Sequence, residues 1–486
     1  MLLAVEISGS QLTIEDVVAV ARHHAPVELG PSVEERMRST RRIVDDAVKR
    51  GDRVYGLTTS VGAKTGLELQ HRHLAEFNRR ILRTHHVGHG PLASEDTVRA
   101  TMVILLNAMA SGSPGVRPEL ARVLVDALNS HRTVAVHLRG SMGQSDMSSM
   151  SDLALGLFED MDLMPGEGLA LVNSSAFSTA LGALALADLA ALLDSFTLVS
   201  ALSMEGYAAN PSIVTEAALT SRPFSGLQTH GRRIRTYLEG SYLWKQGGPR
   251  HLQDPLCFRS IPLIHGAAAD SLAHARGQVA IELNAAQCNP VVSQHENRLV
   301  AAANFDMVAL TMALDFARLA FSPVVTSSTE RLAKMTDSFW SGLSAGLVEE
   351  DGVGATGFNG VALFHKSITS EARLLTVPLV GELSSSSHSN GNMDRASMAA
   401  LGGRRAAELV GLCRSIAAME LLVAAQAAEL RGRTPLGAGT GALFELVRER
   451  VPFAQAGHPP PHIEPLLDFV TTELPGFVTE AAEAHA

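Results

Sequence analysis

A tyrosine in a glycine-punctuated loop is the first group in this chain placed to move a proton. It stands in Tyr55-Gly56-Leu57-Thr58-Thr59-Ser60-Val61-Gly62, where glycines let the backbone turn sharply and either hold the phenol over a pocket or bury it as a structural residue. A histidine cluster follows in Thr84-His85-His86-Val87-Gly88-His89-Gly90. No carboxylate or cysteine lies at ligand spacing beside it, so no metal site is expected there. The polar turn Gly140-Ser141-Met142-Gly143-Gln144-Ser145-Asp146 leads into a helix, and Asn173 in Val172-Asn173-Ser174-Ser175 is either a hydrogen-bond donor or a helix cap. Gln253-Asp254-Pro255-Leu256-Cys257-Phe258-Arg259 carries an arginine that is either paired structurally or grips a carboxylate through two parallel hydrogen bonds. A last polar segment runs from Ser386 to Met398 and holds Asn392, Met393 and Asp394.

These groups lie between helices. Thr13 with Asp16, and Ser32 with Glu35, read as helix N-caps, the second helix stopping at Gly51. Ala- and Leu-rich helical stretches are expected at roughly 97–112, 117–130, 176–204, 267–286, 303–321 and 394–430, with period-two alternation scarce. The stretches at 176, 303 and 394 are apolar nearly all round, as a helix is when neighbours surround it. A central bundle of long helices follows, completed by further subunits. The prolines 459–461, 465 and 475 rule out a long helix in the tail.

Composition narrows the classes. With 46% apolar residues in 486, the chain can bury a large core, which excludes disordered and fibrous classes. No Gly/Ser/Pro-rich linker interrupts it, so one interlocked body is expected, organised as residues 1–200, 201–450 and a tail 451–486. Forty Lys+Arg against fifty Asp+Glu leave a net charge of -10, which makes nucleic acid and anionic membranes poor partners. The first residues lack the basic start of a signal peptide, and the apolar stretch from Ala176 to Met204 carries Asp188 and Asp194; a cytoplasmic chain without a membrane span is expected. Cys257, Cys288 and Cys413 lie far apart in sequence and read as reduced and mostly buried.

The order of these motifs resembles the histidine and phenylalanine ammonia-lyase family from about residue 10 to residue 445. The family's Tyr-Gly-x-x-Thr-Gly-Phe-Gly loop is similar to Tyr55–Gly62, its Ser-His-x-x-Gly to Thr84–Gly88, its Asn-Gly-Thr to Asn173–Ser175, and its Gln-Asp-x-Tyr-Ser-x-Arg to Gln253–Arg259. Asn284 to Pro290, Asn304-Phe305, Ser328-Thr329-Glu330-Arg331, Ser341-Gly342-Leu343 and Ser397-Met398 agree as well. The resemblance implies an all-α fold of the ammonia-lyase and fumarase type, a homotetramer with active sites shared between subunits, and a small-molecule substrate. It also implies substrate-binding roles for Asn173, Gln253, Leu256, Phe305, Asn392 and Met393.

The departures shape the expected chemistry. The family cyclises Ala-Ser-Gly to a methylidene-imidazolone electrophile, MIO. Here the gap-free register gives Gln144-Ser145-Asp146, and a register anchored on Asp152-Leu153-Ala154 gives Ser149-Met150-Ser151. Cyclisation drives the third residue's amide nitrogen onto the first residue's carbonyl through a compressed turn, which glycine permits and a side chain opposes. Ala110-Ser111-Gly112 falls where the family has an ordinary helix end. The family's Tyr and Gln-Glu positions are occupied by Leu256 and Asn392-Met393. No cofactor is therefore expected, and the substrate must bring its own activation: a carbonyl, thioester or imine, or a leaving group better than ammonia.

The expected activity is a cofactor-independent lyase, or its reverse addition or cyclisation, on a small carboxylate- or carbonyl-bearing substrate. Tyr55 would transfer the proton, His85 would position or protonate, Asn173 would donate a hydrogen bond, and Arg259 would clamp the anion. Working near neutral pH asks about three pKa units of Tyr55, roughly 4 kcal/mol from cations and backbone donors. Two other readings stand beside it: a conventional ammonia-lyase with atypical cofactor formation, and a non-catalytic scaffold on the lyase fold.

Overall fold

The computed structural model describes residues 3–348, 356–380 and 389–483. As expected, it is mainly helical; the sheets among the described residues are three two-stranded pairs. Val5–Ile7 pairs in parallel with Val27–Leu29, while His89–Leu92 with His137–Arg139 and Val291–Ser293 with Arg298–Val300 are antiparallel. Four long helices dominate: Ala176–Tyr207, Ile261–Leu283, Val308–Thr336 and Ala399–Arg431. The chain divides into two compact units. The first comprises Met1–Ala187, His274–Asp315 and Pro378–Ala407; the second comprises Asp188–Ala273, Phe316–Val377 and Glu408–Ala486.

The long helices form where the sequence has no polar face to offer water. Ala180, Ala183 and Leu186 in the first unit and Phe196, Leu198 and Val199 in the second are fully buried, so burial rather than amphipathicity fixes these segments. The stretches Glu167–Tyr207 and Val308–Thr336 are long and apolar enough to cross a membrane, but 78% and 56% of their most apolar windows are buried inside the chain. The helix expected over 303–321 runs instead from Val308 to Thr336 with Pro323 inside it. Phe321, Val324 and Val325 around that proline are fully buried, and their packing outweighs a helix-interior proline cost of about 3 kcal/mol.

The caps divide. Thr13 and Asp16 form the expected reciprocal capping box on the helix Ile14–Arg22, and Gly51 ends the helix Val33–Arg50 at φ 72°. Ser32 does not cap through its side chain. Its backbone is already helical, and its Oγ accepts from Arg36 Nη2 at 3.3 Å. In the tail, two short helices, Glu464–Thr472 and Leu474–Glu483, replace one long one, Pro465 and Pro475 sitting in their first turns.

Within the first unit, Ile14–Arg22 packs on Glu95–Ala110, and Met147–Phe158 packs on Glu167–Val172 and on Leu74–Thr84. That second group of helices carries the polar turn and the tyrosine loop. The second unit is centred on a fully buried ion pair: Arg331 Nε and Nη2 donate to the two Glu420 carboxylate oxygens at 2.6 and 2.9 Å, and Ser203 Oγ adds a bond of 2.7 Å. The other arm of Arg331 reaches Ser327 Oγ and the carbonyl of Cys257. Cys257, Cys288 and Cys413 are buried and unbridged.

Candidate active site

The polar turn is braced from both sides by residues far from it in sequence. Gly143 stands at φ 76°, and a Cβ there would lie 2.3 Å from Ser397 Oγ and 2.6 Å from the Ala399 nitrogen; only glycine fits. The Gly143 carbonyl accepts from Ser397 Oγ, and the Met142 carbonyl accepts from the Met398 N–H at 2.8 Å. Gln144 bridges Asp306, and the Ser145 N–H donates to the Phe305 carbonyl at 3.3 Å. Ser145 itself has φ 62°, a strained setting for a side-chain-bearing residue of the kind that collects at functional sites.

Asp146 is fully buried at the N-terminus of the helix Met147–Phe158. One carboxylate oxygen accepts from Ser141 Oγ at 2.5 Å and Ser178 Oγ at 2.6 Å, and the other from the Ser178 N–H at 2.7 Å. Its own N–H donates to the Ser174 carbonyl at 2.8 Å. Burial pushes this carboxyl above the ordinary carboxylate range, and the Ser141 and Ser178 bonds pull it part of the way back. The alternative register, Ser149-Met150-Ser151, lies inside the helix Met147–Phe158 and forms no turn. Ser111 caps the end of the helix Glu95–Ala110, so Ala110-Ser111-Gly112 is an ordinary helix end here as well.

Beside this turn the tyrosine loop folds over a cavity of about 400 Å³. Gly56 has φ 67°, and a Cβ on it would fall 2.0 Å from Leu169 Cδ2, so glycine lets the loop close onto the helix Glu167–Val172. Thr58 Oγ1 accepts from the Val54 N–H at 2.8 Å and donates to the Asp52 carbonyl at 2.6 Å, which fixes the entry. The half-buried Tyr55 pairs by a backbone bridge with Thr59, and its phenol oxygen accepts from the Gly62 N–H at 3.3 Å. The phenol proton is left to be donated elsewhere.

Tyr55, Gln144, Asn173, Phe305, Asn392 and Met393 all line this cavity, so the structure brings together six of the residues singled out from sequence. Asn173 does not use its side chain as a cap: Oδ1 accepts from Ser145 Oγ and Nδ2 donates to the Asn289 carbonyl at 2.7 Å. The part of the last segment from Ser386 to His388 lies outside the described residues. Sequence reasoning missed an ion pair in the lining, Arg395 Nη1 with Asp306 Oδ2 at 2.8 Å. Both residues adjoin singled-out positions, but nothing local links partners 89 residues apart.

Four of the singled-out residues are placed elsewhere. His85 caps the helix Leu74–Thr84, its Nδ1 2.8 Å from the Ile81 carbonyl, and does not line the cavity. Its neighbour His86 lies with Nδ1 2.7 Å from Asp152, whose other oxygen accepts from the His137 backbone N–H at 2.8 Å and meets His137 Nδ1 at 2.9 Å. This buried carboxylate ties the antiparallel pair His89–Leu92/His137–Arg139 to the helix that follows the polar turn. Gln253, Leu256 and Arg259 belong to the second unit, where Arg259 Nη1 donates to Gln253 Oε1 and Leu256 is 65% exposed. Among the described residues no group of three or more His, Cys, Asp and Glu is arranged to hold a metal ion.

Residues 12–160 and 158–449 match a family model described as aromatic amino acid lyase. A histidine ammonia-lyase of Streptococcus sanguinis is 32% identical over 476 residues, covering 93% of this chain and 92% of that protein. The ergothioneine-degrading ergothionase of Treponema denticola, solved with desmethyl-ergothioneine sulfonic acid, superposes with a TM-score of 0.90 at 26% identity, covering 99% of this chain and all of that one. A tyrosine aminomutase of Streptomyces globisporus gives a TM-score of 0.91 at 25% identity, with coverage of 100% and 99%.

Proposed function

We propose a retooled lyase for this chain, which belongs to the aromatic amino acid lyase family: an enzyme that performs elimination, addition or cyclisation without MIO. The observation that carries this reading is the state of Asp146. Its amide nitrogen, which cyclisation would drive onto the Gln144 carbonyl, donates to Ser174, and its carboxylate is fixed by three hydrogen bonds in the interior. Gln144-Ser145-Asp146 therefore fits a finished structural turn better than an electrophile precursor, and no step is assigned to the cofactor.

The substrate must then supply its own activation, through a carbonyl, thioester or imine next to the reacting carbon or through a good leaving group. Tyr55 holds the transferable proton at the cavity wall. Asn173, fixed by Ser145 and Asn289, presents its remaining amide N–H as a donor to a developing oxyanion. Arg259 clamps a carboxylate or enolate oxygen. It enters with Gln253 and Leu256 from another copy in a homotetramer, and His85 takes a positioning role on the same terms. Exposed apolar side chains in the second unit support the assembly: Leu252, Leu256, Phe339, Leu363, Phe364 and Leu374 are each more than half exposed. We place the assembly in the cytoplasm.

The kinship with histidine ammonia-lyases favours one other reading, an ammonia-lyase in which Ser145 still loses water. A screen of carboxylic acids, acyl thioesters and amino acids for turnover, followed by Tyr55→Phe on any hit, tests the proposal. That substitution removes one hydroxyl at constant ring volume, and turnover should fall at least 100-fold, in line with loss of a general acid or base, while the assembly stays folded. Unchanged turnover makes Tyr55 structural and removes the mechanism.

A further inference from the structure

Two helices of the first unit end close together, and a histidine follows each. His24 comes after the helix Ile14–Arg22 and His131 after the helix Pro118–Asn129. Both adopt the left-handed backbone conformation, at φ 54° and 56°, where glycine is the usual residue beyond a helix end and a side chain is strained. Both side chains are exposed, yet their rings meet edge to face with centroids 4.8 Å apart and the two Nδ1 atoms 3.1 Å apart. Neither lines the cavity. A buried arginine holds the two helix ends in place. Arg99, 2% exposed on the helix Glu95–Ala110, donates through Nε and Nη2 to the Val20 carbonyl at 3.1 and 2.9 Å and through Nη1 to the Leu128 carbonyl at 3.1 Å. Asn129 adds a two-point tie, its Oδ1 accepting from the Val27 N–H at 2.9 Å and its Nδ2 donating to the Val27 carbonyl at 3.0 Å. The backbones that carry the histidines are thus fixed relative to each other, so little further ordering is needed for both rings to engage one ligand.

We propose that His24 and His131 form a two-histidine site for a divalent transition metal ion of the zinc, nickel or copper class, with water completing the coordination. Imidazole nitrogens suit these ions. At the observed Nδ1 separation of 3.1 Å, an ion about 2.0–2.1 Å from each nitrogen makes an N–metal–N angle of about 95–102°, between the roughly 90° of octahedral and the roughly 109° of tetrahedral geometry. The ion takes the place of the proton that the two Nδ1 atoms share, and that proton moves to Nε2 of its own ring. The pair also sits at the C-terminal, negative ends of two helix dipoles, which favours a cation. Of the arginines beside these histidines in sequence, Arg22 is paired with Asp96 at 3.0 Å and Arg132 donates to the Gly156 carbonyl at 2.7 Å. Two protein ligands rather than three or four make the ion exchangeable.

Calorimetric titration of the native assembly with Zn²⁺ at neutral pH tests the site, with His24→Asn and His131→Asn as comparisons. Asparagine tolerates the left-handed conformation, so both turns survive the substitution. The native chain should bind Zn²⁺ with micromolar affinity, and each variant should weaken that binding at least tenfold, because losing either ring breaks the chelate. A second measurement needs no variant: acylation of histidines by diethylpyrocarbonate, read by mass spectrometry across a Zn²⁺ titration. His24 and His131 should become protected together, at one Zn²⁺ concentration, while His462, whose side chain is 96% exposed, stays reactive. Absence of Zn²⁺ binding by the native protein, binding that survives in either variant, or protection of the two histidines at different Zn²⁺ concentrations overturns the proposal.

Discussion

Replacing Asp146 tests whether the third residue of the polar turn is a structural acceptor. Asp146→Ala removes the partner of the Ser178 N–H and of the hydroxyls of Ser141 and Ser178, all in the interior. A buried N–H left without an acceptor costs about 1–3 kcal/mol, and two hydroxyls that re-pair imperfectly bring the total to roughly 3–5 kcal/mol. Asp146→Asn should behave differently. With its oxygen facing the Ser178 N–H, that bond is kept, and its NH2 donates to both serine hydroxyls, so those two bonds survive with donor and acceptor exchanged. Because burial raises the folded-state pKa of Asp146 above its unfolded value, the stability its carboxyl group contributes is complete only below the unfolded pKa, where the group is protonated. Its contribution is lost as pH rises through the folded value. Asp146→Asn is neutral throughout, so its stability relative to the native protein should improve from acid toward neutral pH. Chemical denaturation across that range, followed by circular dichroism, reads both effects. An Asp146→Ala variant as stable as the native protein, or an Asp146→Asn variant as damaged as Asp146→Ala, would refute the reasoning.

Acid should weaken the fold through its buried histidines. Burial lowers His230 and His365 to about 4, and for His230 the carboxylate of Asp194 at 3.9 Å does not reverse this because Arg233 already pairs with it. A lowered folded-state pKa gives stability that is complete above the unfolded value near 6.5 and lost as pH falls toward 4, roughly 3 kcal/mol for each residue; titrating His230→Gln and His365→Gln variants should flatten that loss. In the second unit, Arg331→Met strands the Glu420 carboxylate and should cost about 3–5 kcal/mol, whereas Arg331→Met with Glu420→Leu should recover most of it. Denaturant midpoints of the single and double variants check this, and a double variant no better than the single one would count against the pair.

The parts of this protein that local chemistry decides were legible from the residues alone. The Thr13-Asp16 capping box and the all-round apolarity of the long helices need only a few neighbours along the chain. Tyr55, Gln144, Asn173, Asn392 and Met393 were legible because they sit in polar breaks between helices, whereas Phe305 was named only through the family resemblance. What escaped depended on distant partners. Ser32 lost its capping role to Arg36, His85 was turned to a helix end while His86 took Asp152, and the Asp306–Arg395 pair joined residues far apart in sequence. The exposed Pro323 was tolerated because Phe321, Val324 and Val325 on either side of it pack in the core, which a local rule does not record.

The central claim, a lyase-family turn that does not become an electrophile, is most directly tested by the intact mass of the purified native chain. A control is the double variant Gln144→Ala with Asp146→Gly, which restores Ala-Ser-Gly. The native mass should equal that of the encoded sequence, because the Asp146 amide and carboxylate are held in hydrogen bonds that cyclisation would break. A native chain lighter by two waters would contradict the account and return the protein to ordinary ammonia-lyase chemistry.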